Sequence, residues 1–263
     1  LLYHDTTLAP YARLHDLQRI GERFAGQGPT LTTDFEEDAE YYLRDMQQDS
    51  PVNGPGLAIR PEINRLTEPG GIYQYDLNEF VPSWIQIFRT IVMRRNPLVS
   101  RPPANYKLAY LSPYYEVWQR DGPATSVLAH VGLRDGRGNL RGAPCATVLA
   151  SLRRAGPGAH IVYMPTTRNY VQLDSSNTVL KGGFVAVGGP ILANGAGSAE
   201  REQPIPTAGE YDFFMGGSIG RPVDVLVDGR HIGTAAYQIS YPNQYVLIGR
   251  TWLSRGVHRI AET

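Results

Sequence analysis

Apolar residues recur at two spacings along this chain. Near the start, Leu14, Leu17, Ile20 and Phe24 follow one another three or four residues apart, the period of one helix face. Pro10 suits the first turn of that helix, and Gly26-Gln27-Gly28-Pro29 stops it. Thr30-Leu31-Thr32 reads as a short buried strand. Thr33 and Glu36 stand at capping-box spacing and predict a second helix with Phe35, Ala39, Tyr42 and Leu43 on its apolar face. Helix, strand and helix with short connections form a unit that lies on a sheet. Residues 46–76, rich in Pro, Gly and Asn, read as a long irregular excursion. A short helix over Leu77–Phe88 containing Pro82, a strand at Ile91–Met93, and a hairpin of Tyr106–Leu111 and Tyr114–Arg120 joined at Ser112-Pro113 are expected next.

Beyond a short helix at Ala146–Arg154 the period shortens to two. Strands are expected at Ile161–Met164, Tyr170–Leu173, Phe184–Val187 and Tyr211–Met215, with Gly195–Pro206 as a polar loop. Val223, Val225 and Val227 share one strand face, and Asp228-Gly229 supplies a tight turn into a strand through Ile232. Tyr245–Arg250 and a last strand after Ser254-Arg255-Gly256 close the set. Short strands separated by turns in this way predict an antiparallel β-sandwich of jelly-roll type. Gly122, Pro123, Gly132, Gly136, Gly138 and Gly142 crowd the stretch before it. The expected fold class is therefore α+β and multi-domain: an α/β domain at 1–122, a linker at 123–142 and a β-sandwich at 143–263.

Composition bounds the partners. With 25 basic and 25 acidic residues among 263 the chain is neutral, which argues against a nucleic-acid partner. A single cysteine, Cys145, excludes an internal disulfide framework and a multi-cysteine zinc site. No apolar run approaches the ~20 residues that span a bilayer. The chain begins at Leu1 rather than Met and reads as a segment of a longer protein.

Candidate chemistry is sparse. Gly216-Gly217-Ser218-Ile219-Gly220 matches the G-x-S-x-G nucleophile elbow, which needs a strand before the serine and a helix after it. Arg221-Pro222-Val223 opens a strand instead, so a glycine-rich loop is expected; a serine hydrolase using Ser218, with His231, His258 and Asp224 downstream, is the alternative. The acidic run Asp34, Glu36, Glu37, Asp38 and Glu40 matches the first turns of a helix, where carboxylates complement the dipole. The six His residues show no metal-binding spacing, and Gly182-Gly183, Gly188-Gly189 and Gly195-Ala196-Gly197 form no dinucleotide fingerprint. The aromatics Tyr237, Tyr241, Tyr245 and Trp252 are different. They lie in or beside the predicted sandwich loops, where flat rings stack on the C–H faces of sugars or pack the rim. They are the candidate carbohydrate-binding residues; no catalytic residue is assigned.

Several phrases resemble a known family. His4–Asp45, containing Gly28-Pro29-Thr30-Leu31-Thr32-Thr33-Asp34-Phe35-Glu36, looks like the soluble region that follows the transmembrane helices of large actinobacterial membrane proteins related to GT-C glycosyltransferases. Ile91-Val92-Met93-Arg94-Arg95, Ser100–Tyr106 and Tyr114–Arg120 are similar to the later strands of that region. The tail, from Val225–Arg230 through Leu253–His258, resembles galactose-binding-like sandwiches, a fold common among carbohydrate-binding modules. The resemblance implies an extracytoplasmic binding and positioning region attached to its own transmembrane part. Its partner would be a cell-wall glycan or a polyprenyl-linked sugar acceptor. No cofactor is evident, and sandwiches of this kind often carry a structural calcium. GT-C catalytic acids lie between transmembrane helices, so none carries over to this chain.

Overall fold

The computed structural model describes residues 11–34, 36, 38–49, 75–124, 127–131, 145–162, 171, 173, 176–188, 190–236, 238 and 244–263. The chain has an α+β, multi-domain architecture with separate N- and C-terminal sheets. By its contacts it divides into two units: Tyr11–Pro165 with Tyr241–Gln244, and Thr166–Ser240 with Tyr245–Thr263.

The first unit is a mixed sheet covered on both faces. Helix α1 (Tyr11–Arg23) leads into β1 (Thr30–Thr32), and a short α2 (Ala39–Tyr42) leads into β2 (Gln48–Asp49). Then come α3 (Pro82–Ile85), β3 (Thr90–Arg94), β4 (Tyr106–Leu111), β5 (Tyr115–Arg120) and α4 (Cys145–Ala155). The strand order is β2-β1-β3-β5-β4; β1 is parallel to β2 and β3, and the other pairs are antiparallel. Alternation along β3 sorts the core. Ile91 and Met93 join Leu31, Trp118, Phe80 and Ile85 on one face. Val92 joins Leu17, Ile20, Phe24, Leu43 and Val117 on the other.

Two local expectations change here. Glu36 does not return to cap Thr33; it is drawn into an ion-pair network, and α2 starts only at Ala39. The capping box sits instead at Asp76 and Glu79, whose side chains accept from the Asn78 and Asp76 backbone N–H groups at 2.9 Å each. The expected helix over Leu77–Phe88 is split, a 3₁₀ turn at Leu77–Glu79 followed by α3, because Pro82 has no N–H to give and so starts a helix.

The second unit is antiparallel throughout. Its strands are β6 (Val179–Ala186), β7 (Ile191–Ile205), β8 (Gly209–Gly216), β9 (Val223–Val227), β10 (Arg230–Ala235), β11 (Tyr245–Leu253) and β12 (Gly256–Glu262). Five form a sheet in the order β10-β9-β12-β7-β6, and β8 pairs with β11. The β9–β10 turn has φ of 51° at Asp228 and 79° at Gly229, the backbone of a type I′ hairpin. The expected polar loop at Gly195–Pro206 is a correction: it lies mostly within β7, a strand of 15 residues. Small and polar residues there concealed a strand held by ladders on both sides. Ile161, Val162, Val171 and Leu173 lie outside any strand; the rest of the strands expected at 161–164 and 170–173, and most of the 46–76 excursion and the 123–142 linker, fall outside the described residues.

The two sheets share a core. Ile205, Val227 and Ile260 of the larger sheet cluster with Tyr211 and Leu253 of the smaller. Their edges meet where β10 passes β11: a Cβ on Gly233 would overlap the Ile248 carbonyl, and one on Gly249 would sit 2.5 Å from the Ile232 carbonyl oxygen. Gly233→Ala should therefore force these strands apart and destabilise the second unit by about 1–3 kcal/mol, the usual cost of overpacking. Urea denaturation of the variant against the parent protein checks this.

Candidate functional site

Three side-chain groupings are candidates. The first lies at the carboxyl ends of the parallel strands β1 and β3, where open α/β sheets place their ligands. Glu36 accepts from the Tyr115 hydroxyl at 2.6 Å and pairs with Arg13 at 3.5 Å and Arg94 at 3.7 Å. Arg94 also donates to the Gln244 side chain, and its backbone N–H donates to Asp34 at 3.2 Å. Burial pushes the Asp34 carboxyl up to about 6, against the pull of Arg94. A carboxyl titrating there has the right pKa for acid–base work. Asp34, Glu36, Arg13 and Arg94 are, however, all buried and interlocked with one another. The geometry is that of an internal brace.

The second grouping has the residue types of a hydrolytic triad. His258 Nδ1 lies 2.7 Å from Asp228 Oδ2, and Nε2 lies 3.3 Å from Ser254 Oγ. The order of contacts is right, but Nε2 is closer to the Ser254 carbonyl oxygen, at 3.0 Å. A carbonyl cannot donate, so Nε2 must carry a proton to satisfy it, and a protonated Nε2 cannot take one from serine. Asp228 and that carbonyl together raise the His258 pKa and favour the imidazolium. The group works as a clamp. It ties the β9–β10 turn to the corner where the chain passes from β11 to β12.

The third grouping is the outer face of the β8–β11 pair. Tyr211, Phe213 and Met215 of β8 point to the core, so Glu210, Asp212, Phe214 and Gly216 point away. Opposite these four stand Trp252, Arg250, Leu247 and Tyr245 of β11. Residues directly opposite share a face, so the outer surface carries Trp252 at one end and Tyr245 at the other, about 20 Å apart at strand rise. Trp252 is 62% exposed. A Cβ on Gly216 would lie 2.9 Å from the Tyr245 ring, so the glycine leaves room for that ring against the strand. Between the aromatic ends Arg250 grips Asp212 through both carboxylate oxygens, at 2.5 and 3.1 Å. Tyr237 and Tyr241 lie outside the described residues. Of the candidate sugar-binding residues, then, two share one face. Sequence reading missed Phe214, Leu247, Asp212 and Arg250, because strand pairing alone reveals them as their neighbours.

The nucleophile elbow is not formed at Ser218. β8 precedes it, as the pattern requires, but Ile219 bridges to Gln238 and β9 follows from Val223. His231 contacts Asp224 and Thr234 on the larger sheet. Among the described residues no three His, Cys, Asp or Glu side chains cluster to hold a metal ion, and no helix is long and apolar enough to cross a membrane. An open groove of about 470 Å³ between α1 and the β4–β5 turn is lined by His15, Arg19 and Tyr114 among others. It offers no convergent set of catalytic groups.

These features define a two-unit α+β protein with an aromatic-ended outer sheet face. No family model matches the chain, and no curated protein matches it. Among solved structures it is similar in part to the crystal structure of Podospora anserina GH26-CBM35 beta-(1,4)-mannanase, at 13% identity and a TM-score of 0.28. The match covers 34% of this chain and 23% of that one, so this chain spans under a quarter of its length. A likeness that slight carries no argument.

Two pH dependences follow from the first two groupings. The folded state keeps a proton on Asp34 that the unfolded state, at 3.8, releases, so stability falls as pH rises from about 4 through about 6. Asp34→Asn should flatten that slope and be the more stable form above pH 6, by up to roughly 3 kcal/mol at about 1.4 kcal/mol per pKa unit. Denaturant melts across pH 4–7 measure it. For His258 the folded pKa is raised above 6.5. Its contribution is fully present below the unfolded value and fades as pH rises through the folded one. His258→Gln should remove that decline, read as melting temperature between pH 6 and 9.

Proposed function

We propose that the chain is the extracytoplasmic binding and positioning region of a membrane protein of glycosyltransferase type. It holds a cell-envelope glycan or a polyprenyl-linked sugar acceptor on its C-terminal unit. The observation that carries this reading is Trp252, a large aromatic left 62% exposed on a sheet face that also carries Tyr245. Exposing an indole forgoes ~1.5–3 kcal/mol of burial, which a stacked sugar ring recovers on binding. The Asp212–Arg250 pair between the aromatics offers fixed acceptors and donors for sugar hydroxyls.

In this reading the two sheets close as a jelly-roll sandwich of galactose-binding-like type. Support comes from their shared core and the close edge contact at Gly233 and Gly249. The resemblance of residues 4–45 and 91–120 to GT-C-related proteins supports the membrane attachment and cell-envelope setting. The chain contributes position rather than chemistry, because tethering raises the effective concentration of an acceptor near a catalytic part.

Titration with arabinan, galactan and mannan fragments tests the proposal. Binding to one of them should weaken at least about tenfold in Trp252→Ala and several-fold in Tyr245→Ala, with melting temperature unchanged. Millimolar fragments that leave both the tryptophan emission and the calorimetric trace unchanged would assign the unit a structural role instead.

A further inference from the structure

Tyr245 and Trp252 are seven residues apart, an odd number, so strict alternation along β11 would place them on opposite faces. The bulge between Leu247 and Gly249 supplies one extra residue and returns both to the same side. The outer face of β8–β11 is then a straight ladder of four rungs. Glu210 stands opposite Trp252, Asp212 opposite Arg250, Phe214 opposite Leu247 and Gly216 opposite Tyr245. Rungs two residues apart lie about 6–7 Å from one another, so the two aromatic ends are separated by about 20 Å.

The two ends are built differently. Trp252 projects, 62% exposed. The Tyr245 ring lies over β8, because a Cβ on Gly216 would stand 2.9, 3.1 and 3.5 Å from its Cε1, Cδ1 and Cζ. Charge along the ladder is lopsided. Glu210 and Asp212 are carboxylates, and Arg250 is the one cation among these eight residues. Both carboxylate oxygens of Asp212 hold that guanidinium, so none of the positive charge is left over for a ligand anion.

We propose that this face lies along the interior of a linear, uncharged glycan, an inference that rests on the sugar-binding reading above. A terminal sugar is captured by groups that converge on it in a pocket. Tyr245 and Trp252 diverge to the two ends of a ladder, so each meets a different sugar of one chain. At bond lengths near 1.5 Å a pyranose unit with its linking oxygen reaches about 5 Å. A chain of about five units therefore touches both rings, whereas a disaccharide reaches only one. A phosphate or uronate would bring further negative charge to a face whose guanidinium is already taken, and like charges brought together across a contact weaken binding. That separates the two occupants named above: the glycan chain suits this face, and the phosphate of a polyprenyl-linked sugar does not.

The test is calorimetric titration of the whole chain with linear arabinan, galactan and mannan oligomers, each from disaccharide to octasaccharide. For the series that binds, affinity should climb at least about tenfold between disaccharide and pentasaccharide and then level off. Tyr245→Ala should weaken the pentasaccharide several-fold and leave the disaccharide unchanged, whereas Trp252→Ala should weaken both. The same pentasaccharide carrying sulfate esters should bind at least about tenfold more weakly, and Glu210→Gln should narrow that gap, which crowding by the esters alone would not allow. A disaccharide that binds the parent protein as tightly as the pentasaccharide overturns this inference and leaves sugar binding at Trp252 standing, and so does a sulfated chain that binds as well as the plain one. The length series on the parent needs no variant, so a misfolded substitution cannot hide either result. Absence of binding at every length overturns both this inference and the reading beneath it.

Discussion

The second unit depends on the contact between two sheet edges. A sheet of two strands cannot cover a sheet of five, and its apolar side chains are buried only where the two overlap. Gly233 and Gly249 allow β10 and β11 to approach until carbonyls lie where side chains would otherwise stand. That approach sets the overlap. It brings Tyr211 and Leu253 onto Val227 and Ile260, and it leaves the outer side of β8–β11 to solvent. The exposed indole of Trp252 and the core packing of Leu253 are consequences of the same placement, on alternate sides of one strand.

The first unit is held by a different balance. Both faces of its sheet are covered by apolar side chains, yet the carboxyl ends of β1 and β3 carry two carboxylates and two guanidinium groups with little exposure. Charges buried like this are tolerable only when each has partners. Glu36 has three, from Arg13, Arg94 and Tyr115. Asp34 is less well served, and burial moves its titration toward neutrality. The same logic separates the His258 clamp from a catalytic triad: one extra acceptor, the Ser254 carbonyl, fixes the proton that catalysis would need to be free.

Much of the fold was legible in the chain. The helical period of Leu17, Ile20 and Phe24, the hairpin at Ser112-Pro113, and the Val223–Val227 alternation before Asp228-Gly229 all became the expected elements. Local patterns suffice where the period is strong and the turn residues are specific. The long β7 was hidden because Gly195–Pro206 contains glycine, proline and charge at strand positions, and only pairing with β6 and β12 holds it extended. Glu36 misled for the opposite reason. Its spacing from Thr33 is that of a cap, but distant arginines outbid the local bond.

The candidate sugar face divides in the same way. Tyr245 and Trp252 could be picked out as aromatics near turns, and the strand that opens at Val223, where a helix is required, argued against the elbow at Ser218. Local alternation therefore determined the strands, the turns and the absence of a helix after Gly220. It could not determine which side of β11 meets the core, because that depends on register with β8 and on the bulge between Leu247 and Gly249. Tertiary pairing alone decided that Trp252 faces outward beside Arg250. Side-chain period belongs to the sequence; which face is wet belongs to what packs on the other.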